Sequence, residues 1–171
     1  MWTAWDDIEQ AKPKELDFFG IYQIRMVNEG GHPLTVNRIM GVDGEGLIYI
    51  GKAGPKRTLG SRIRRFVKVS QWAKARHSGG ETYVLLSVNL IRLEHAYRKH
   101  RVQYRVMRVG GVGSQTGGQE TLRQKIEEEE SKALADYFHK YGELPPCNSS
   151  FPRKWDTFTQ RLQELWGWEK T

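Results

Sequence analysis

The chain has one cysteine, Cys147, among 171 residues, which excludes an internal disulfide framework. With five scattered histidines it also lacks the ligand spacing of a zinc finger. Apolar runs stay well below the ~20 residues that a membrane-spanning helix needs. The opening segment, Met1 to Leu16, has no basic stretch followed by an apolar one, so no secretory signal is expected. The expectation is a cytoplasmic protein with no membrane partner. Internal repeats and low-complexity tracts are missing too. At 38% hydrophobic and 27% charged residues the composition is that of a folded protein, and the length points to a single domain over residues 1–171.

Acidic residues are unevenly absent. Residues 52–76 hold nine Lys and Arg with no Asp or Glu, and residues 92–108 hold six against Glu94 alone. These segments carry +9 and +5 in a chain whose net charge is +7, which leaves the remainder at −7. Charge divided this way points to a polyanionic partner, with two merely solvated faces as the alternative.

Residues 18–27 (FFGIYQIRMV) are aromatic and β-branched and end at a turn cluster, which predicts a strand. A second strand is expected at Leu47 to Ile50, with either a further strand or a long loop at Pro33 to Met40 between them. Leu59, Ile63, Phe66 and Val67 give helical spacing with a basic outer face over residues 59–69. His77-Ser78-Gly79-Gly80 reads as a break before a helix over residues 81–100. Alternation of Val102, Tyr104 and Val106 predicts a third strand at residues 101–109. A glycine-rich loop at 110–118 leads to a long helix from about Gln119 to Tyr141, stopped by Gly142 and Pro145-Pro146. A last amphipathic helix carries Trp155, Phe158, Leu162 and Trp166 on one side, read as core packing before a base-stacking platform or dimer seam.

Two strings stand on the first two strands: Gly20-Ile21-Tyr22 and Tyr49-Ile50-Gly51. An arginine follows on a helix in Leu59-Gly60-Ser61-Arg62-Ile63, then the run Glu127 to Glu130 with Ala133-Leu134, then Leu144-Pro145-Pro146-Cys147-Asn148. In this order, from Gly20 to Asn148, they resemble the GIY-YIG nuclease family. The resemblance implies an α+β fold: a small three-stranded antiparallel sheet flanked by helices, with a motif-bearing core over about 18–150. The helix at about 152–167 is then an addition. It further implies a Mg²⁺-dependent DNA endonuclease, with Mn²⁺ as a substitute, of the restriction or defence kind. A structure-selective or nicking repair nuclease and a catalytically inert nucleic-acid-binding module are the alternatives, and a homodimer is left open. The segment between the tripeptides, Gln23 to Ile48, is longer than the commonest family pattern and resembles restriction-type members.

The residue types suit such chemistry. Phosphodiester hydrolysis needs an activated water, neutralisation of growing phosphate charge and help for the departing oxygen. Mg²⁺ keeps most of its waters, so one carboxylate suffices to hold it. At about 100° per residue Glu130 falls within the apolar stripe of its helix, Glu129 on the edge, and Glu127 and Glu128 outside it. A carboxylate in that stripe is costly unless paired or metal-bound, so Glu130 is the expected ligand and Glu129 the runner-up. Arg62 offers a fixed fork for phosphate oxygens. Tyr22 is the expected proton acceptor for water, with Tyr49 positioning it. Restriction-type members often carry a histidine after the arginine, normally closer to it than His77 is to Arg62, which makes His77 a further catalytic candidate. Lys52, Arg64, Arg65, Arg76 and Asn148 are the expected substrate contacts, each with a solvated or turn-forming alternative.

Overall fold

A computed structural model of the chain describes residues 1–12, 15–70, 77–93, 100–111 and 118–167. The strands are β1 (Asp6–Asp7), β2 (Phe18–Val27), β3 (Val36–Arg38), β4 (Gly41–Asp43), β5 (Leu47–Ala53) and β6 (Arg101–Gly111). The helices are α1 (Leu59–Ser70), α2 (Ser78–Leu93), α3 (Gly118–Tyr141) and α4 (Trp155–Trp166), and one 3-10 turn spans Ile8–Gln10. Among the described residues no helix is long and apolar enough to cross a membrane.

The class is α+β, as expected, but the main sheet has four strands, antiparallel in the order β1-β6-β2-β5. The extra strand, β1, is two aspartates that pair with Tyr104 and Gln103. Two acidic residues carry no alternation for a pattern to register, so the expected three strands fell one short. The segment Pro33 to Met40 contributes to a separate hairpin, β3–β4.

Alternation along β2 sorts the core into two sides. Tyr22, Ile24 and Met26 join Leu59, Ile63 and Phe66 of α1 and Tyr83 of α2. Phe19 and Ile21 instead meet Ile126 of α3, while Leu47 and Ile50 of β5 meet Leu134, Tyr137 and the α4 residues Phe158 and Leu162. The sheet is thus covered by α1 and α2 on one face and by α3 and α4 on the other. Half of the expected α4 stripe is core. Phe158 and Leu162 are buried, whereas Trp155 and Trp166 are largely exposed.

At Gly20 a Cβ would lie 2.0 Å from the Met107 carbonyl oxygen of β6, where the β2–β6 register shifts. Only glycine lets the two backbones approach so closely. The free edge of β5 is closed by the segment after α3. Cys147 N–H donates to Ile48 O (2.8 Å), and the Asn148 amide donates to Ile50 O (2.8 Å) and accepts from Ile50 N–H (3.0 Å). Side-chain pairing of this kind covers an edge that would otherwise offer unpaired groups.

The glycine pair Gly79-Gly80, expected to break the chain, lies inside the first turn of α2. His77 is the reason. Its Nδ1 accepts from Gly80 N–H (3.1 Å), and the Glu81 carboxylate accepts from His77 N–H (3.4 Å), a reciprocal cap that satisfies helix-end donors.

Candidate active site

Tyr22 of β2 stands directly across from Gly51 of β5, and Tyr49 is its diagonal neighbour on the same face. A Cβ on Gly51 would sit 2.5 Å from the Tyr49 ring and 2.9 Å from the Tyr22 hydroxyl. The glycine of the second tripeptide therefore makes room for two rings whose centroids are 5.7 Å apart. Gly79 does the same from above, since a Cβ there would be 2.4 Å from the Tyr49 ring.

His77 closes this cluster. Its Nε2 lies 2.7 Å from the Tyr22 hydroxyl oxygen, and its ring meets Tyr22, Tyr49 and Phe66 edge-on. Burial, with Arg62 and then Arg65 nearby, pushes the His77 pKa down to about 3, so the ring is neutral at ordinary pH. Because Nδ1 accepts from Gly80 N–H, the single ring proton resides on Nε2 and is donated to Tyr22. The capping bond of α2 thus sets the polarity of a hydrogen bond in the site.

Arg62 projects from the first turn of α1, which is capped by Thr58, whose side chain accepts from Ser61 N–H (3.4 Å). Its guanidinium interacts with both phenols, and although burial works against its charge the two phenols raise its pKa. Arg62 Nε is buried without a hydrogen-bond acceptor. Burial holds the Tyr22 phenol well above its ordinary pKa, with Tyr49 adding to the effect and Arg62 opposing it. Tyr49 is raised as well, again by burial, against Arg62. Both phenols are therefore protonated in this state.

Glu130 reaches the same place from α3. Its Oε2 accepts from Lys52 Nζ at 2.5 Å, and burial raises its pKa against the pull of Lys52. Glu127, expected on a solvated face, is buried, with Lys52 Nζ at 3.8 Å and Arg123 Nε at 3.3 Å. An apolar stripe does not register a helix face that packs against cations, which is why Glu127 was misplaced. Glu129 is paired with Lys132 (3.0 Å) on the outer surface.

Two hollows meet here. A cavity of about 240 Å³ is lined by Tyr49, Lys52, Glu130 and the loop from Asn148 to Arg153. A groove of about 700 Å³ runs past Lys52, Lys56, Arg57, Arg62, Arg123 and Arg153. Lys52 and Arg153 line both.

Among the described residues no group of three or more His, Cys, Asp and Glu converges as a metal cage. The donor set at Glu130 still suits a small hard cation that brings its own waters, since a buried carboxylate faces the cavity and already attracts one cation, the Lys52 ammonium.

The remaining expected contacts fare differently. Arg65 lies near His77, Arg64 is exposed on α1, and Arg76 lies outside the described residues. Asn148 lines the cavity, but its amide is occupied by the β5 backbone. Of the second basic segment, the described residues Arg101, Arg105 and Arg108 do not line the groove. Arg101 pairs with Asp7 at 3.0 Å, while Arg105 lies over Trp2 and Trp5 and near Glu45. Arg123 and Arg153, which do line the groove, come from regions of mixed or acidic sequence where charge counting gives no signal. Compared with known proteins, the chain matches no protein-family model, no curated protein and no solved structure.

Proposed function

We propose that the chain is a Mg²⁺-dependent DNA endonuclease hydrolysing phosphodiester bonds through a GIY-YIG-type site. One observation carries this reading. Tyr22, Tyr49, Arg62, His77 and Glu130 come from β2, β5, α1, the cap of α2 and α3, and they gather where a cationic groove meets a cavity. A core that only needed filling would not draw a half-buried arginine, a neutral histidine and a carboxylate onto two adjoining phenols.

In the proposed reaction a DNA strand lies in the groove, held by Lys56, Arg57, Arg123 and Arg153. Arg62, which lines the groove, donates to the non-bridging oxygens of the scissile phosphate, where charge grows in the transition state. Tyr22 takes the proton of the attacking water. Since its phenol is protonated, it accepts that proton only in step with passing its own to Tyr49, and Tyr49, which lines the cavity, passes its own phenolic proton on to the departing oxygen. The His77 Nε2–H and the Arg62 guanidinium hold the Tyr22 oxygen in place for this relay, and because burial opposes a phenolate the two transfers go together. Glu130 would hold Mg²⁺, which when bound supplies a Lewis acid for the phosphate. Lys52, bonded to Glu130 and lining both hollows, would face substrate, and Asn148 fixes the β5 edge that presents Tyr49 and Lys52.

Incubation with supercoiled plasmid, with Mg²⁺ or with EDTA, tests the reading. Mg²⁺-dependent fragments or nicked circles are expected. A gel shift without any cleavage would favour the inert binding module instead.

A further inference from the structure

We propose that the cavity beside Glu130 receives a single unpaired nucleobase, so that the substrate is DNA with a nucleotide out of its stack next to the scissile phosphate. This deepens the nuclease reading and rests on it.

The cavity has an aromatic wall. Phe151 lines it with 48% of its surface exposed, and its ring is fixed from behind by Trp155 (5.4 Å, 88°), Phe158 (5.5 Å, 74°) and Phe138 (5.9 Å). A large ring held rigid and half open is a stacking surface, and base-on-aromatic stacking tolerates any base because each has a π face. Ser149, Ser150 and Arg153 line the cavity beside it and supply donors and acceptors for a base edge. Leu134 and Cys147 line it as well, a poor bed for a phosphate but a suitable one for an uncharged ring.

Position and size complete the case. Lys52 and Arg153 belong to both cavity and groove, so a phosphate held at Arg62 and a ring in the cavity are neighbouring parts of one strand. At about 240 Å³ the cavity is below the ~300–1,000 Å³ of sites for drug-sized ligands, which suits one ring system and excludes a base pair. A base inside a duplex reaches such a pocket only by leaving its stack, and that cost is least where it is already unpaired. Of the nuclease readings, this favours selection by structure over reading of an intact duplex sequence.

The test uses the full chain in EDTA, so that binding is read without cleavage. The probe is a duplex with one unpaired 2-aminopurine, compared with a fully paired duplex and with one carrying an abasic nucleotide at the unpaired position. Quenching of the 2-aminopurine on binding is expected. Phe151→Ala should abolish the quenching and weaken binding of the unpaired probe by about 5- to 140-fold, the loss of one stacked base. The abasic probe should lose a similar factor with the unaltered protein, which gives a readout independent of how the variant folds. Equal affinity for paired, unpaired and abasic probes, with no quenching, would overturn the pocket while leaving nuclease activity on plasmid intact. Failure to bind or cleave any DNA would overturn both readings together.

Discussion

Two buried tyrosine pairs in this molecule have nearly the same ingredients and different fates. On one face of the sheet Tyr22 and Tyr49 lie 5.7 Å apart beside Arg62 and Glu130. On the other Tyr137 and Tyr141 lie 4.6 Å apart beside Arg38 and Asp43. In the second cluster the carboxylate is saturated. Asp43 Oδ1 accepts from Glu45 N–H and the Tyr141 hydroxyl, and Oδ2 from Leu47 N–H and the Tyr137 hydroxyl, at 2.9–3.4 Å, with the residue 1% exposed. Those bonds anchor the β4–β5 connection to α3, and Arg38 of β3 pairs with Glu143 just after that helix. The first cluster is unsaturated and open. Glu130 has cationic Lys52 as its near partner, and the groove and cavity reach Arg62 and Tyr49 respectively. A buried Nε without an acceptor occurs on both Arg38 and Arg62, so that feature does not separate them. What separates a structural cluster from a reacting one is capacity left over for a ligand, together with a way in.

The largest expected effects come from exchanging the two carboxylates for amides. Glu130→Gln should abolish Mg²⁺-dependent cleavage while DNA binding is kept or tightened, because a ligand for the cation and a negative charge near phosphate are removed together. Its melting temperature should hold or rise, since burial already disfavours the charge. Asp43→Asn should do the reverse. It sets an NH₂ group against two of the four donors, at a cost of about 2–3 kcal/mol in stability with the rate at saturating DNA retained. Plasmid cleavage, filter binding and thermal melts of both variants check this pairing. Cleavage retained in Glu130→Gln and lost in Glu129→Gln would move the metal to the neighbouring residue.

A smaller effect follows from His77. Its pKa is about 3 in the folded chain and near 6.5 when unfolded, so below pH 6.5 the unfolded state binds the extra proton. The stability that neutral His77 contributes is complete above that pH and is lost as pH falls toward 3. Glu130, whose folded pKa is raised, acts in the opposite direction at acid pH. Comparing melts of the protein with those of His77→Gln isolates the histidine. The variant should show a flatter decline between pH 6.5 and 4, and an identical decline would contradict the buried neutral ring. No His77 step should appear in the pH-rate profile between pH 5 and 8.

The smallest effects belong to the outer face of α1. Arg64→Ala and Arg65→Ala should each lower the slope of log K against log salt by about one unit and spare the chemical step at saturating DNA. Unchanged slopes would show that the DNA track follows Arg123 and Arg153 and bypasses α1.

Much of this contrast was legible in the sequence. The strand carrying Tyr22, the helix carrying Arg62 and the inward Glu130 all follow from periodicities of two and 3.6 residues. What escaped depends on partners far away in the chain. Asp6–Asp7 becomes a strand only because β6 offers an edge, and Glu127 is buried only because Lys52 and Arg123 meet it. Gly79-Gly80 looks like a break until His77 and Glu81 are seen to cap the helix. A motif His-x-x-x-Glu ahead of an apolar run was the local signal for that cap. Asp43 gave no signal, since its donors Tyr137 and Tyr141 lie more than 90 residues away.

The central claim is that the Tyr22 cluster reacts while the Tyr137 cluster only holds the fold, and one matched pair of substitutions tests it. Tyr22→Phe leaves the His77 Nε2–H without an acceptor, and Tyr137→Phe leaves Asp43 one donor short, so each should cost about 1–3 kcal/mol of stability. Rapid-quench, single-turnover cleavage of a DNA substrate, at a temperature where both variants are folded, separates them. The predicted result is a rate lower by roughly 10²–10⁴ for Tyr22→Phe and close to the unaltered protein for Tyr137→Phe. Equal stability losses with both rates unchanged would contradict the account and return Tyr22 to the role of a core residue.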